Sequence, residues 1–458
     1  MTISTLLQSP ESLCQAMRQA MAQPDMPETL AQLVDPLLKA RHAAIAAFQS
    51  ETDFPHPKEE LWRFIAQHPL YAKPWQVVPS LEVVLEATDA FRLQGGRLLQ
   101  LNTLETCGQL SSEHQAWVLQ HLANDHHTGL SAHDTFWHLF SQASGHAPYV
   151  LILPDSLQSS HAVSLRVTLP NDLASSECLT VCPFRVLVLA ENTHAHVHVT
   201  TQVHVASQSS VMDATPHVLV HGIVQGTLAA EASVAWLNQC HTFEPQCYWL
   251  TSTQVTLQEK ARWHMLNLNT QAHWVRHGAE VHLQGEQADA KLCGLTLGQG
   301  SQKVHQQVKV SHHAVDTTSQ QAFKQVMQHQ AYAEFSGSIG VHRVAQGTDA
   351  QQLSNTILLS DKAKVFVRPW LQIDADDVKC SHGATVGQLE NEQLFYLTSR
   401  GLTASEASKL LLQGFAHDII DTYLLGQNLP EDVLSTLGGH LHTEVDIALS
   451  ALVASGTP

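Results

Sequence analysis

The stretch AHVHVTTQVHV, residues 195 to 205, decides the fold class of this chain. Its odd-numbered positions are mostly valine, whereas its even-numbered positions are mostly polar and include His196, His198 and His204. A period of two is typical of a β-strand whose two faces meet different surroundings. We therefore predict a half-buried strand with one face exposed to solvent.

Similar alternation recurs toward the C-terminus, in VLVHGIV (218–224), CYWLTSTQVTL (247–257), AEVHLQG (279–285), GSIGVHRV (337–344), AKVFVRP (363–369) and LQIDADD (371–377). Many short strands joined by short turns require a sandwich, a barrel or a solenoid. An alanine recurs after turns, as in EASVAW (231–236) and DKAKVF (361–366), as though one structural unit were reused. This recurrence favours a β-solenoid of stacked rungs.

Helical patterns flank the strands on both sides. Apolar residues recur at three- and four-residue spacing in LVDPLLKARHAAIAAF (33–48) and HQAWVLQHLANDH (114–126), and again in ASEASKLLLQGFAHDIIDTYL (404–424). The sequence therefore predicts an N-terminal helical region over residues 1–147, a β-helix core over 148–387 and a C-terminal helical region over 388–458.

The C-terminal region carries two apolar stripes, formed by Leu411, Phe415 and Ile419 and by Leu434, Leu437 and Leu441. Two stripes are more than a short tail needs to cover one end of a solenoid. Either one stripe packs on the β-helix and the other docks a partner, or both stripes bury against each other.

The composition of the chain excludes several classes of function. Its 458 residues include 42 acidic and 24 basic side chains, and the formal charge of −18 argues against a nucleic-acid partner. No run of 18 apolar residues and no signal peptide is visible, so we expect no membrane association. The eight cysteines form no CxxC pair, which indicates reduced thiols and a cytoplasmic location.

Cys380 and His382, in DDVKCSHGATVG (376–387), form the main candidate site. Residues i and i+2 of an extended segment point to the same side, so both side chains can reach one point. A thiolate and an imidazole suit iron or zinc, but the remaining ligands must come from elsewhere or from another chain. Alternatively, Gly383 and Gly387 end the last rung and Cys380 is a small buried apolar residue.

Other candidate sites are weaker. The row His194, His196 and His198 could hold a metal only with help from a neighbouring strand, and we interpret it as a polar outer face. The sequence contains no GxxxxGK[ST], GxSxG or HExxH motif, so we predict no catalytic residue and no enzyme activity. Two alternatives stay open: a carbohydrate-active solenoid enzyme using the cluster Asp374, Asp376 and Asp377, and a zinc-binding structural protein using the histidines.

One continuous part of the sequence resembles a known family. The segment DADDVKCSHGATVG (374–387) follows NTILLSDKAKVFVRPWLQI (355–373) and precedes EQLFYLTSRGL (392–402). Together with SHHAVDTTSQ (311–320), FSGSIGV (335–341) and AQGTDAQQ (345–352), these segments resemble the SufB/SufD family of the SUF iron–sulfur cluster assembly system. The resemblance spans about residues 275 to 425 and fits the D-type member, because the B-type would carry a different cysteine-bearing stretch in place of CSHGAT.

The resemblance implies a right-handed parallel β-helix flanked by helices, in a non-catalytic subunit of a SufB–SufC–SufD scaffold complex. SufB would pair through the β-helix, and the SufC ATPase would bind the C-terminal helices. His382 matches the histidine that helps to hold a transient iron–sulfur cluster at the interface with SufB, and it is the predicted metal ligand. Cys380 matches the adjacent cysteine. Such complexes are also associated with reduced flavin, which no residue here can be matched to.

Overall fold

A computed structural model describes residues 75–77, 82–101, 109–123, 148–157, 161–168, 179–191, 196–205, 217–242, 247–270, 273–427 and 429–455. It confirms the predicted parallel β-helix: the core is a parallel β-solenoid of about six turns, with helices at the C-terminus.

The described strands are β1 (Trp75–Val77), β2 (Glu82–Ala87), β3 (Arg97–Gln100), β4 (Tyr149–Leu153), β5 (His161–Thr168), β6 (Leu179–Ala190), β7 (His196–Val205), β8 (His217–Leu228), β9 (Ser233–Thr242), β10 (Cys247–Leu257), β11 (Arg262–Asn269), β12 (Trp274–Leu283), β13 (Asp289–Gly298), β14 (Lys303–His312), β15 (Thr318–Met327), β16 (Tyr332–Val341), β17 (Thr348–Leu358), β18 (Lys364–Ile373) and β19 (Val378–Gly387). The described helices are α1 (Asp89–Leu93), α2 (Ser112–Ala123), α3 (Asn391–Ser399), α4 (Ala404–Leu424) and α5 (Glu431–Ser455). From β4 onward, even-numbered strands form one sheet and odd-numbered strands form the other.

The corners of the solenoid explain the recurring alanines. Residues with a positive φ recur about every 29 positions at one corner, namely Glu231 (64°), Lys260 (54°), Gln287 (58°), Asp316 (57°) and Gly347 (76°). After the first three of these comes an alanine that is fully buried, at positions 232, 261 and 288. A left-handed residue turns the chain sharply, and a methyl group then fits inside the corner.

The interior of the solenoid is filled by the inward-facing residues of both sheets. Trp236 and Trp263 stack with ring centroids 5.5 Å apart, and Phe323 lies 4.4 Å from Phe335. Burying one large apolar side chain stabilises a fold by roughly 1.5–3 kcal/mol. The period of two in the sequence therefore places one side of every strand in this core.

Helices α4 and α5 cover the outer face of the odd-numbered sheet. Ile419 and Tyr423 of α4 and Leu441 of α5 are buried in one cluster with Leu266 and Leu295 of that sheet. Phe415 and Leu437 are partly buried against the same cluster. Four of the six stripe residues thus pack in one core with the solenoid face, whereas Leu411 and Leu434 are half-buried outside it. Docking of a partner on these helices stays a prediction.

The same helices correct the interpretation of the first quoted stretch. His198 of β7 is only 2% exposed, and its Nε2 lies 3.0 Å from the hydroxyl oxygen of Tyr423 in α4. The outer face predicted to be solvated is thus covered at His198. Residue 194 and the side chain of His196 lie outside the described residues.

The N-terminal region also differs from the prediction. Three strands lie between Trp75 and Gln100, where a helical region was expected. β2 pairs with β5 and β3 with β4, both antiparallel, so these strands complete the first rungs of the solenoid. The helix predicted over 114–126 is present as α2, up to Ala123. Residues 33–48 lie outside the described part of the chain.

Candidate functional site

The C-terminal end of the solenoid is open. β18 pairs only with β16 and β19 only with β17, and no further strand pairs with them among the described residues. Every residue of both strands is exposed or half-buried. Such an edge presents unpaired backbone N–H and C=O groups, which are a template for pairing with another chain.

Exposed apolar side chains lie along this open edge. Trp370 is 67% exposed, Phe366 39% and Ile373 39% in β18, and Val386 is 50% exposed in β19. Tryptophan at the centre of a contact contributes strongly to protein–protein binding. The end of the solenoid therefore combines unpaired strands with apolar surface, as a protein interface requires.

Cys380 and His382 lie on this last rung, on the same face of β19. Their register partners in β17 are Ala350 and Gln352, which are both buried and belong to the inward face. Cys380 is half-buried beside a small apolar cluster, whereas His382 is exposed. The two side chains therefore stand on the inner side of the wall, at the mouth of the solenoid.

The thiol of Cys380 is held in its protonated form. Burial, and then the nearby Asp349 carboxylate, raise the pKa of Cys380, and a backbone hydrogen bond from Ala350 lowers it only in part. A metal ion that binds this sulfur must first displace the proton. The pair is thus suited to bind a metal cation, whose positive charge can replace that of the displaced proton.

The pair is an incomplete metal site. No group of three or more His, Cys, Asp or Glu side chains in the described part of the chain could hold a metal ion. A structural zinc site needs four ligands, so the zinc-binding alternative finds no cluster among these residues. Burial lowers the pKa of His198 to about 4, which keeps it neutral, and it contacts Tyr423 instead of a histidine row.

The aspartate cluster has a different position. Asp374, Asp376 and Asp377 lie in the turn between β18 and β19, and all three are exposed. Asp377 helps to hold the turn, since its carbonyl accepts from Gly347 N–H and its N–H donates to Gln346 Oε1 at 2.8 Å. A glycosidase needs two carboxyl groups flanking a bound sugar, and this turn gives the carbohydrate-active alternative no support.

Sequence reasoning missed a chain of amides behind His382. Gln321 of β15, Gln352 of β17 and His382 of β19 are successive register partners in one inward-facing column. Gln352 Nε2 donates to Gln321 Oε1 at 2.6 Å, and Gln321 Nε2 donates to the carbonyl of Ser338 at 3.0 Å. The signal was available: a Gln-Gln pair recurs at 320–321 and 351–352, at the period of the rungs.

No described helix is both long enough and apolar enough to cross a membrane.

Comparison with known proteins agrees with this geometry. The family model described as "SUF system FeS cluster assembly, SufBD core domain" matches residues 175–415, which include β7 to β19 and the Cys380–His382 pair. That stretch is more than half of the 458 residues.

Individual relatives match over a shorter span. An iron–sulfur cluster assembly SufBD family protein of Synechocystis sp. is 37% identical over 174 residues, which are 38% of this chain and 38% of the relative. The iron–sulfur cluster assembly protein SufD of Escherichia coli is 34% identical over 167 residues, or 36% of this chain and 39% of that protein. SufD of Bacillus subtilis is 30% identical over 141 residues, or 31% and 32%. These alignments span about two fifths of the relatives' own length or less. The match of the family model over the solenoid shows that the chain belongs to the SufBD core family of the SUF system for iron–sulfur cluster assembly.

Proposed function

We propose that this chain is a non-catalytic scaffold subunit that pairs with a SufB-type protein and supports the assembly of iron–sulfur clusters at the shared interface. One observation carries the proposal: an imidazole and a thiol stand together on the open last rung, where a second chain can add both backbone pairing and the missing ligands. Imidazole and thiolate are ligands that iron accepts.

In this proposal the cluster is cargo that is built and passed on. His382, exposed at the mouth, ligates iron or the nascent cluster directly. Cys380 stands two residues away on the same face and supplies a second ligand once its proton is lost. The partner completes the coordination shell, because two ligands from one chain do not hold a metal ion firmly.

We place a SufC-type ATPase on the C-terminal helices, on the surface that packing leaves open. Ile447 of α5 is 68% exposed, next to a cavity of about 390 Å³ lined by Leu297, Ala451 and Leu452. Five of its ten lining residues are apolar and five are polar, among them Glu444, and a cavity of this size can accept a side chain from a docking partner. We also propose a cytoplasmic location, which the free thiols of Cys182, Cys247, Cys293 and Cys380 support.

The role of His382 is tested by changing it to alanine in the complex co-expressed with SufB and SufC. We expect iron and acid-labile sulfide per complex to fall about 10-fold or more, because losing even a residue that supports a metal ligand costs about 10- to 100-fold in affinity, and losing the ligand itself costs at least as much. Folding should stay intact, since the side chain is exposed on a terminal strand.

Ser435→Ala is the control, because Ser435 is also exposed but lies in α5, outside the last rung and outside the residues that line the α5 cavity. Circular dichroism and co-purification of SufB should be unchanged in both variants. Full iron and sulfide content in the His382→Ala complex would remove this residue from the site.

The docking surface is tested by Ile447→Glu, with Ser435→Glu, exposed on the same helix, as its control. Placing a charge at the cavity rim should reduce SufC co-purification at least several-fold and leave SufB pairing intact, because burying an unpaired charge in an interface is strongly unfavourable. Equal yields of SufC with both variants would contradict this placement.

A further inference from the structure

We propose that Gln352 is a positioning residue for His382: its side-chain carbonyl accepts the N–H of one imidazole nitrogen and so leaves the other nitrogen free to bind iron. The consequence for iron rests on the function proposed above. The hydrogen bond itself does not depend on that function.

The direction of the amide chain is fixed at its inner end. The backbone carbonyl of Ser338 can only accept, so the group of Gln321 that meets it at 3.0 Å is the NH₂ group. The oxygen of Gln321 therefore accepts, and the group of Gln352 that meets it at 2.6 Å must be the NH₂ group of Gln352. The Ser338 carbonyl therefore determines which atom is O and which is N in the side-chain amides of both Gln321 and Gln352.

These two hydrogen bonds leave the side-chain oxygen of Gln352 as an acceptor at the outer end of the amide row. Gln352 is 2% exposed, and its Oε1 is buried without a hydrogen-bond partner among the described residues. A buried acceptor left unpaired costs about 1–3 kcal/mol. A donor is therefore expected to complete it, and the next residue in the column is His382.

His382 is positioned to be the donor to Gln352 Oε1. Neighbouring strands lie about 4.8 Å apart, and register partners on the same face have adjacent side chains. Cys380 is the register partner of Ala350 and not of Gln352, so it does not compete with His382 for the Gln352 side chain. In metal sites a ligating histidine nearly always donates its second ring N–H to a carbonyl or carboxylate, which fixes the tautomer.

The facing sheet makes room for the amides. Gly337 of β16 lies across the interior, and a methyl group added there would overlap Gln352 Nε2 and crowd Gln321 Oε1 at 2.7 Å. Gly337 has no positive φ, so its backbone does not require glycine. The absence of a side chain at this position is explained by the space that the amide pair occupies.

The proposal is tested on the full chain without metal, by measuring the ring ¹⁵N chemical shifts of His382 at a pH where the ring is neutral. Subtracting the spectrum of His382→Ala identifies its signals among those of the 31 histidines. In the wild type we expect one tautomer to predominate. In Gln352→Leu, and in Gly337→Ala, both ring signals should shift toward the averaged values of a free imidazole.

Gln351→Leu is the matched control, since Gln351 is the exposed neighbour on the same strand and should leave the ring signals unchanged. Mixed tautomers of His382 in the wild type would overturn the proposal, and this result does not require the leucine variant to fold. Identical ring signals in wild type and Gln352→Leu would also overturn it. Loss of iron in His382→Ala with no tautomer effect would leave the proposed function standing and remove only Gln352.

Discussion

At the scale of single residues, the environment of a side chain here decides its chemistry more than its type does. Burial lowers the pKa of His198 to about 4, whereas His382 is exposed at the open end of the solenoid. His198 lies on the outer face of β7, whereas His382 lies on the inward face of β19 at the last rung. Only the first is covered by a helix, so only the second is available to a ligand.

Glu444 of α5 gives a prediction at this scale. Burial raises the pKa of this carboxyl to about 7, and the hydrogen bond from Gln239 opposes the shift only in part. Because the folded pKa is raised, the stability linked to the protonated form is present below about pH 4.5 and is lost as the pH rises through 7. We expect Glu444→Gln to stabilise the protein by roughly 1–3 kcal/mol at pH 8 and much less at pH 5.

Denaturant unfolding at the two pH values measures this effect. Glu431→Gln, exposed at the start of the same helix, should change stability by no more than about 0.5 kcal/mol at either pH. An equal effect of Glu444→Gln at pH 5 and pH 8 would show that its ionisation does not oppose folding.

At the scale of elements, α4 and α5 act as a cover for one face of the solenoid. α4 begins with a capping box, in which Thr403 Oγ1 accepts from Glu406 N–H at 3.2 Å and the Glu406 side chain accepts from Thr403 N–H at 2.8 Å. Such a box fixes where the helix begins. Lys291 of β13 donates to the carbonyls of Thr422 and Leu425 at the other end of α4. The helix is thus held at both ends as well as along its buried stripe.

Leu441→Ala is expected to destabilise the protein by about 2–5 kcal/mol, because Leu441 is fully buried between α5 and the solenoid face. Ile447→Ala, on the same helix but 68% exposed, should cost less than about 0.5 kcal/mol. Denaturant unfolding of the two variants decides whether the helix pair and the solenoid unfold together. A small effect of both substitutions would mean that α5 separates from the solenoid before the main transition.

At the scale of the whole molecule, the two ends of the solenoid differ. At the N-terminal end β2 and β3 run antiparallel to β5 and β4, and within the described residues each of them has one unpaired edge. At the other end β18 and β19 have one free edge each in the described structure. An extended, partly apolar strand edge promotes association. What distinguishes the C-terminal end is its exposed apolar surface, with Trp370 67% and Val386 50% exposed on the rung that carries Cys380 and His382.

The whole molecule should also be sensitive to acid. Burial lowers the pKa of five described histidines: to about 4 for His198, His312 and His313, to about 3 for His277, and in the same direction for His161. Because these folded pKa values are depressed, the histidines bind protons on unfolding, and stability is lost as the pH falls from about 6.5 toward 4. Glu444 acts in the opposite direction, because its raised pKa lets the folded protein bind one proton more than the unfolded chain at this site.

His277→Gln should reduce the pH dependence of the unfolding free energy by about one proton between pH 6.5 and 4, because a glutamine can keep hydrogen bonds to Thr251 and Asn269 without titrating. Ser435→Gln, exposed in α5, changes no titratable group and should leave the slope unchanged. Denaturant unfolding across this pH range provides the measurement. An unchanged slope in His277→Gln would mean that this ring is already protonated in the folded state.

The sequence by itself predicted the alternating strands from β7 onward, the solenoid class and the shared strand face of Cys380 and His382. The period of two fixed which side chains of β7 to β19 could face inward, and the four-residue steps matched α4 at Ala404–Leu424 residue for residue. The spacing of Cys380 and His382 placed both on one face of a strand, since i and i+2 share a face in any extended segment. These properties are local, and local geometry can be read from neighbouring residues.

Only the tertiary structure decided which faces are covered and which stay open. The alternation in β7 cannot show that Tyr423, 225 residues away from His198, closes over its polar face. The strands at residues 75–100 form because the first rungs need pairing partners, whereas the sequence there was read as helical. The amide column behind His382 exists only because residues about 30 positions apart come into register, and long-range contacts of this kind leave little trace in local periodicity.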